Sequence, residues 1–271
     1  MSHTLLLVGC GNMGFAMLRG WLREDPMLSA YVVEPVDALR DRAAAAGAVA
    51  VSHLGDLPHD LAPDVVFVAV KPKLVETVLA GCADFAARGA TFVSVAAGVT
   101  TASMAQRLPA GSSIVRCMPN TPAAIGEGMM VLYACDGVSA AAKTLVASLL
   151  TTSGVVAWID DEAQMDAVTA ISGSGPAYVF HFIEALTEAA VALGLPAQTA
   201  ALLAKQTVRG AGRLAMEADA DPTALRLQVT SPGGTTAAAL NVFMSDERTG
   251  KLVAEATRAA RDRSIELGKS N

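Results

Sequence analysis

Aromatic side chains are scarce in this 271-residue sequence: Phe, Trp and Tyr make up 4% of it, against a hydrophobic share of 52%. Alanine carries much of that share, and small residues suit close helix–helix packing better than a bulky aromatic core. Positive charge is also short. Twenty Lys and Arg stand against 26 Asp and Glu, a net charge of −6, and no basic run is present, so nucleic acid is not expected as a partner. No apolar stretch is long enough to span a membrane. The best candidate, 189–204, is broken by Pro196 and polar residues, so no membrane association is expected. The first apolar run lacks a basic segment before it and reads as a strand, so no signal peptide is expected. The four cysteines (Cys10, Cys82, Cys117, Cys135) form no C-x-x-C pair and no cluster with histidine. They read as small buried hydrophobes of a reducing cytoplasm, with no metal site. The four histidines (His3, His53, His59, His181) lie outside every motif described below. No internal repeat or low-complexity tail is present.

Glycine, by contrast, is placed with purpose. The N-terminal string Thr4-Leu-Leu-Leu-Val-Gly-Cys-Gly-Asn-Met-Gly14 ends an apolar run in Gly9, Gly11 and Gly14, and a helical pattern opens at once with Phe15, Leu18 and Leu22. Strand, G-x-G-x-x-G, helix is the context of a dinucleotide fingerprint. Gly9 permits the tight turn, Gly11 lets a pyrophosphate touch the backbone, and Gly14 lets the helix pack on the strand. A second strand, Tyr31-Val-Val-Glu34, ends in an acid twenty residues past Gly14. Glu34 is placed to accept hydrogen bonds from the adenosine ribose hydroxyls. The alternative is a glycine turn in an α/β domain that binds no nucleotide.

Up to about residue 158, strands alternate with helices. Strands are expected at 5–8, 31–33, 65–70, 91–95, 114–117, 129–133 and 155–158, with helices such as 12–22, 36–46 and 73–86 between them. The unbroken apolar run Val65-Val-Phe-Val-Ala-Val70 fits a strand covered on both faces, hence a parallel sheet. After Asp160-Asp-Glu162, an acidic helix start, strand signals vanish. Helices are expected at about 162–193, 197–216, 222–229, 236–244 and 247–267, with Pro196 and Pro222 near helix starts. The expected fold class is therefore α/β. A Rossmann-type dinucleotide-binding domain with a mostly parallel sheet (1–160) is followed by an all-helical domain (161–271). A mean hydropathy of +0.42 is high for a soluble monomer and implies a substantial buried subunit interface.

In an open α/β sheet, ligands bind beyond the carboxyl ends of the strands. Three such ends carry distinctive residues. Val70-Lys71-Pro72 offers a lysine that either reaches a ribose or phosphate or is an ordinary solvated strand cap. Ala97 and Gly98 lack bulk and leave room for a nicotinamide or ribose. Asn120 stands between Pro119 and Pro122, and either aims its amide at a ligand or serves as an Asx-type turn residue. Further on, Ser172-Gly-Ser-Gly-Pro-Ala-Tyr178 interrupts a good helix former. Two glycines there, at about 1 kcal/mol each against Ala, imply close packing beside the active site.

The last motif is Thr230-Ser-Pro-Gly-Gly-Thr-Thr236, just ahead of an Ala-rich helical run at 237–243. Either it is a capped helix start after a surface turn, or it seats a small anion. Glycines let successive N–H groups point one way, a helix start adds positive potential, and the hydroxyls fix orientation.

Together these strings resemble the Δ1-pyrroline-5-carboxylate reductase family. The resemblance runs from Leu5 to the final helix. It rests on Gly9-Cys-Gly-Asn-Met-Gly14, Val70-Lys-Pro72, Ala96-Ala-Gly-Val-Thr100, Arg116-Cys-Met-Pro-Asn-Thr-Pro122, Ile171-Ser-Gly-Ser-Gly-Pro-Ala-Tyr178 and Ser231-Pro-Gly-Gly-Thr-Thr236. It implies reduction of the cyclic imine Δ1-pyrroline-5-carboxylate to L-proline by NADH or NADPH, the last step of proline synthesis. It also implies a cytoplasmic homodimer built from the helical domains, assembled in some members into a ring of dimers. By the same resemblance, Ser231, Gly233, Gly234, Thr235 and Thr236 bind substrate. The loop holds its carboxylate, and Thr236 bonds the ring nitrogen as the catalytic residue. Gly9, Gly11, Asn12, Met13, Gly14, Glu34, Val70, Lys71, Pro72, Ala97, Gly98 and Asn120 bind the cofactor. The residues themselves favour an imine over an alcohol. Alcohol dehydrogenases need an acid/base or metal at the reacting oxygen, whereas a protonated imine already carries the charge that makes its carbon electrophilic.

Two features depart from the family pattern. Gly14 stands where Ala is commoner, a swap the fingerprint tolerates. Glu34-Pro35 stands where members preferring NADPH carry a small polar residue and Arg, so Glu34 favours NADH while family habit favours NADPH. Two rival readings remain. A 3-hydroxy-acid dehydrogenase would need a Lys on the helix after Ser172-Gly-Ser-Gly175, where there is none. A nucleotide sensor without chemistry would bind cofactor and not turn over.

Overall fold

A computed structural model of the protein describes residues 3–269. The chain forms two compact units, one reaching Ser174 and resuming at Ala260, the other Gly175–Ala259. The first unit is built on β1 (Thr4–Val8), α1 (Asn12–Glu24), β2 (Ser29–Val33), α2 (Asp37–Ala45), β3 (Val49–Val51), β4 (Val65–Val68), α3 (Pro72–Gly81), α4 (Ala83–Ala87), β5 (Thr91–Ser94), α5 (Thr101–Ala105), β6 (Ser113–Met118), β7 (Gly128–Ala134), α6 (Ala140–Thr151), β8 (Gly154–Trp158) and the short α7 (Met165–Val168). The eight strands run in the order β3-β2-β1-β4-β5-β6-β7-β8. All neighbours are parallel except β6 and β7, paired Cys117 with Leu132 in an antiparallel register. The mostly parallel sheet expected from the apolar runs is thus present.

Alternation along β1 explains the layering. Leu5 and Leu7 join a core with Met17, Leu18 and Trp21 of α1 and Leu149 and Leu150 of α6. Leu6 and Val8 join another with Val75 and Leu79 of α3 and Met104 of α5. A strand buried on both faces has no need of polar alternation. Trp21 packs on Phe67 with ring centroids 4.6 Å apart, and its indole N–H donates to the Leu149 carbonyl at 3.0 Å.

Sequence patterning missed β3, α5 and α6. β3 has three residues and α5 five, too few for a period to register. α6 is Ala-rich, with Val146, Leu149 and Leu150 as its buried residues. The strand expected at 65–70 ends two residues early, because β4 stops at Val68.

The sheet ends at Trp158, close to the expected boundary, but the next residues stay with the first unit. Glu162 accepts hydrogen bonds from Thr101 N–H (2.9 Å), Thr101 Oγ1 (2.6 Å) and Arg116 Nη1 (3.0 Å). Arg116 is buried in β6, and a charge there requires a partner. Residues Thr169–Gly173 form a π-helical turn, and a Cβ on Gly173 would overlap the methyl of Met118. That close approach is the packing reason for a glycine here.

The second unit holds α8 (Gly175–Ala192), α9 (Ala197–Glu217), α10 (Pro222–Gln228), α11 (Thr235–Met244) and most of α12 (Arg248–Lys269). Its buried residues are Ala200 and Ala204, whereas Phe180, Phe182, Leu202, Leu214, Leu227, Val242 and Leu252 are exposed. Helices that bury two alanines have no core of their own, so these faces need another apolar surface to cover them. No helix among the described residues is long and apolar enough to cross a membrane.

Candidate active site

The strand order places β1 between β2 and β4, and connections leave in opposite directions on its two sides. Such a switch point opens a crevice at the carboxyl edge. Gly9–Gly14 follow β1, Glu34 follows β2, Val70, Lys71 and Pro72 follow β4, Ala97 and Gly98 follow β5, and Asn120 follows β6. The tertiary structure therefore brings every residue expected to hold cofactor to the carboxyl ends of five parallel strands.

The glycine loop has the shape the fingerprint requires. Gly9 has φ +90°, and a Cβ on it would lie 2.7 Å from the Ala69 carbonyl oxygen. A Cβ on Gly14 would overlap the carbonyl oxygen of Gly9, while the same position on Gly11 meets nothing within 4 Å. Crowded on the sheet side and open at Gly11, the loop leaves backbone room for a pyrophosphate at the start of α1. Nearby, Asn12, Met13, Phe15, Arg19, Arg42 and Thr121 line a cavity of about 520 Å³.

Glu34 is buried, at 5% exposure. Its Oε2 accepts the Cys10 N–H at 2.7 Å and its Oε1 accepts the Val36 N–H at 3.0 Å. The residue read from sequence as a ribose acceptor thus also braces the glycine loop. Each oxygen keeps a lone pair for a ribose hydroxyl. Burial pushes the neighbouring Cys10 thiol up to about 11, so it stays neutral and unreactive. Lys71 is exposed at the start of α3, with Pro72 as the first helical residue. Ala97 is exposed and Gly98 has φ +75°.

The Asn120 amide is largely engaged within the protein and forms no Asx turn. Its Oδ1 accepts the Met129 N–H at 2.8 Å and its Nδ2 donates to the Ser172 carbonyl at 3.0 Å. The amide ties β7 and the π-helical turn to the end of β6, and one N–H remains for a ligand.

The hydroxyl-rich loop lies in the second unit. Gly233 has φ +72°, and the Gly234 N–H donates to the Ser231 carbonyl at 3.0 Å. Gly234 is the N-cap of α11 and offers no side-chain acceptor. The N–H groups of Thr235, Thr236 and Ala237 find no acceptor among the described residues; the next, Ala238, bonds Gly234. Ser231, Thr235 and Thr236 do not cap the helix, so this is not the capped start that sequence left open. The first turn of α11 thus leaves three backbone donors unsatisfied in a segment that also carries three hydroxyl side chains.

Sequence reasoning passed over Arg116 and Glu162 as a pair. The signal available was a lone arginine inside an apolar strand, which demands a counter-charge. It also left Arg42 without a role.

A doubly wound sheet with this glycine loop defines the dinucleotide-binding class of α/β proteins. Residues 4–98 match the family model described as NADP oxidoreductase, coenzyme F420-dependent, and residues 162–267 match the one described as pyrroline-5-carboxylate reductase dimerisation. The pyrroline-5-carboxylate reductase of Pseudomonas aeruginosa is 40% identical over 269 residues, covering 99% of this chain and 98% of that protein. The chain belongs to the pyrroline-5-carboxylate reductase family. The solved reductase from Coxiella burnetii has a TM-score of 0.92 at 36% identity, covering 98% of this chain and 99% of that one. The Plasmodium falciparum pyrroline carboxylate reductase, solved with NADP bound, has a TM-score of 0.82 at 27% identity and covers 98% of both chains.

Proposed function

We propose that this protein reduces Δ1-pyrroline-5-carboxylate to L-proline with NADH or NADPH. The observation that carries this reading is the uncapped start of α11, where three backbone donors are left without an acceptor in a segment that also carries Ser231, Thr235 and Thr236. Ser231, Gly233 and Gly234 and the N–H groups of the first turn hold the substrate carboxylate. Thr236 hydrogen-bonds the ring nitrogen and is the catalytic residue. Protonated at nitrogen, the imine needs no further acid, and the protein's task is to hold it in one orientation. A nicotinamide held there would supply the hydride for the new C–H bond, with the C=N π electrons becoming the amine lone pair. The N–H groups that open α1, from Gly11 to Gly14, receive the pyrophosphate. Glu34 receives the adenosine ribose, Val70, Lys71 and Pro72 flank the ribose and phosphates, and Ala97, Gly98 and Asn120 line the nicotinamide side.

The helical region 161–271 acts as the dimerisation and substrate-binding domain and 1–160 as the cofactor domain. The exposed apolar faces of the second unit are covered by a second copy, as the dimerisation match suggests. The test is turnover of the synthetic imine with each reduced cofactor, following nicotinamide oxidation and proline by mass spectrometry. Cofactor binding without turnover would replace the reductase with a nucleotide sensor. Turnover of 3-hydroxy acids with NAD in place of the imine would replace it with a dehydrogenase.

A further inference from the structure

Arg42 lies on α2, outside the glycine loop, yet its guanidinium reaches back to it. Nη2 donates to the carbonyl of Cys10 at 2.8 Å and to that of Gly11 at 3.3 Å. The guanidinium carbon sits 4.0 Å from the centroid of the Phe15 ring, a cation–π contact that fixes its plane. Its Nε is buried with no hydrogen-bond partner. An unpaired buried donor is a cost, and an aliphatic side chain would cover Phe15 without it. The position of the guanidinium therefore calls for a reason beyond packing.

The peptide bond supplies one. In a trans peptide the carbonyl of one residue and the N–H of the next point in opposite directions. Holding the carbonyls of Cys10 and Gly11 toward Arg42 turns the N–H groups of Gly11 and Asn12 the other way. The Cys10 N–H is fixed separately by Glu34 at 2.7 Å. Two charged groups of opposite sign, one after β2 and one on α2, thus hold the N–H and the carbonyl of Cys10, and Arg42 shares the Gly11 carbonyl with the first helical bond of α1, from the Phe15 N–H at 2.9 Å.

We infer that Arg42 is a positioning residue for the phosphate-binding loop, presetting the Gly11 and Asn12 amides for the pyrophosphate of the dinucleotide. Ordering the loop before the ligand arrives removes an entropic cost of binding. The inference rests on the reductase reading and says which residue tunes its cofactor affinity. Because both dinucleotides share the pyrophosphate, the effect is the same for NADH and NADPH.

The experiment measures the Kd of NADH and of NADPH by cofactor fluorescence in the wild type, Arg42→Met and Arg42→Lys, with melting curves recorded without ligand. Arg42→Met keeps the cover on Phe15 and removes both hydrogen bonds. Its Kd should rise by about tenfold for both nucleotides, a loss of one to two charge-assisted bonds. Inhibition by ADP, which carries a pyrophosphate, should weaken in parallel. At saturating cofactor, kcat and the KM for the imine should stay within about twofold, a split that general destabilisation does not produce. Arg42→Lys keeps the charge with a single donor head and should recover part of the affinity; it is the deciding variant if Arg42→Met does not fold. Unchanged Kd values overturn the inference. So does a loss confined to NADPH, which would make Arg42 a ligand of the 2′-phosphate. Should the wild type bind neither nucleotide, the reductase reading falls and this inference with it.

Discussion

Glu34→Gln exchanges a carboxylate for an amide of the same size at the end of β2. Glu34 uses two acceptor oxygens, one for Cys10 N–H at 2.7 Å and one for Val36 N–H at 3.0 Å. Glutamine has one, so one backbone donor is left facing an NH2 group in a site only 5% exposed. That costs about 1–3 kcal/mol, divided between global stability and disorder of the glycine loop. KM for both cofactors should therefore rise several-fold. The second effect is electrostatic. At about 6 Å and an effective dielectric near 20, Glu34 and a 2′-phosphate bearing nearly two charges repel by roughly 4–5 kcal/mol. Screening over a Debye length of about 8 Å removes around half of this. The wild type should then prefer NADH by roughly 10- to 100-fold in kcat/KM, and the ratio should collapse in Glu34→Gln and in Glu34→Ser. Steady-state kinetics with both cofactors separate the two effects. A preference unchanged by either substitution would refute the electrostatic argument, and a cofactor KM unchanged in Glu34→Gln would refute the bracing role.

Four further outcomes are expected. Thr236→Ala should lower kcat/KM for the imine by roughly 10- to 150-fold, the worth of a hydrogen bond to a charged group. Cofactor Kd should barely change and Thr236→Ser should retain most activity, whereas near wild-type turnover in the Ala variant would leave the loop to act through its N–H groups alone. Light scattering at micromolar concentration should give twice the 27.7 kDa of one chain or a multiple of it; a stable monomer would contradict the need to cover the second unit. Glu162→Ala leaves the Arg116 guanidinium, its side chain 6% exposed, without its counter-charge. The urea midpoint should fall by the equivalent of about 3–5 kcal/mol, and a loss under about 1 kcal/mol would show that Arg116 finds another partner. Burial raises the Cys10 and Cys82 thiols from 9.0 to about 11 and about 12. They stay protonated when folded while the unfolded chain ionises near pH 9. The stability they contribute is intact below pH 9 and is lost as pH rises toward 11 and 12; denaturation midpoints flat from pH 8 to 11 would contradict this.

Local chemistry made much of this protein legible from sequence. The glycine fingerprint is written within one short stretch of residues, and Gly9 and Gly14 answer to steric demands within that turn and its neighbouring strand. The doubly covered strand 65–68 shows in composition, since burial on both faces leaves no room for polar alternation. The shift from strands to helices near residue 160 and the hydroxyl-rich start of α11 are equally local, as is the family resemblance they add up to. What the tertiary structure alone decided is where side chains go when their partners are distant in the chain. Asn120 uses its amide on Met129 and Ser172, and Arg116 from β6 and Thr101 from the start of α5 both meet Glu162. Arg42 crosses from one helix to the loop before another, 31 and 32 residues back. Hydrogen bonds of this kind have no sequence period, because each depends on strand order and on the few ångströms between loops at one edge of the sheet. The same limit applies to the uncapped α11. A Ser-Pro-Gly-Gly-Thr-Thr string permits a cap, and only the folded backbone shows that the first three N–H groups of the helix are left without one.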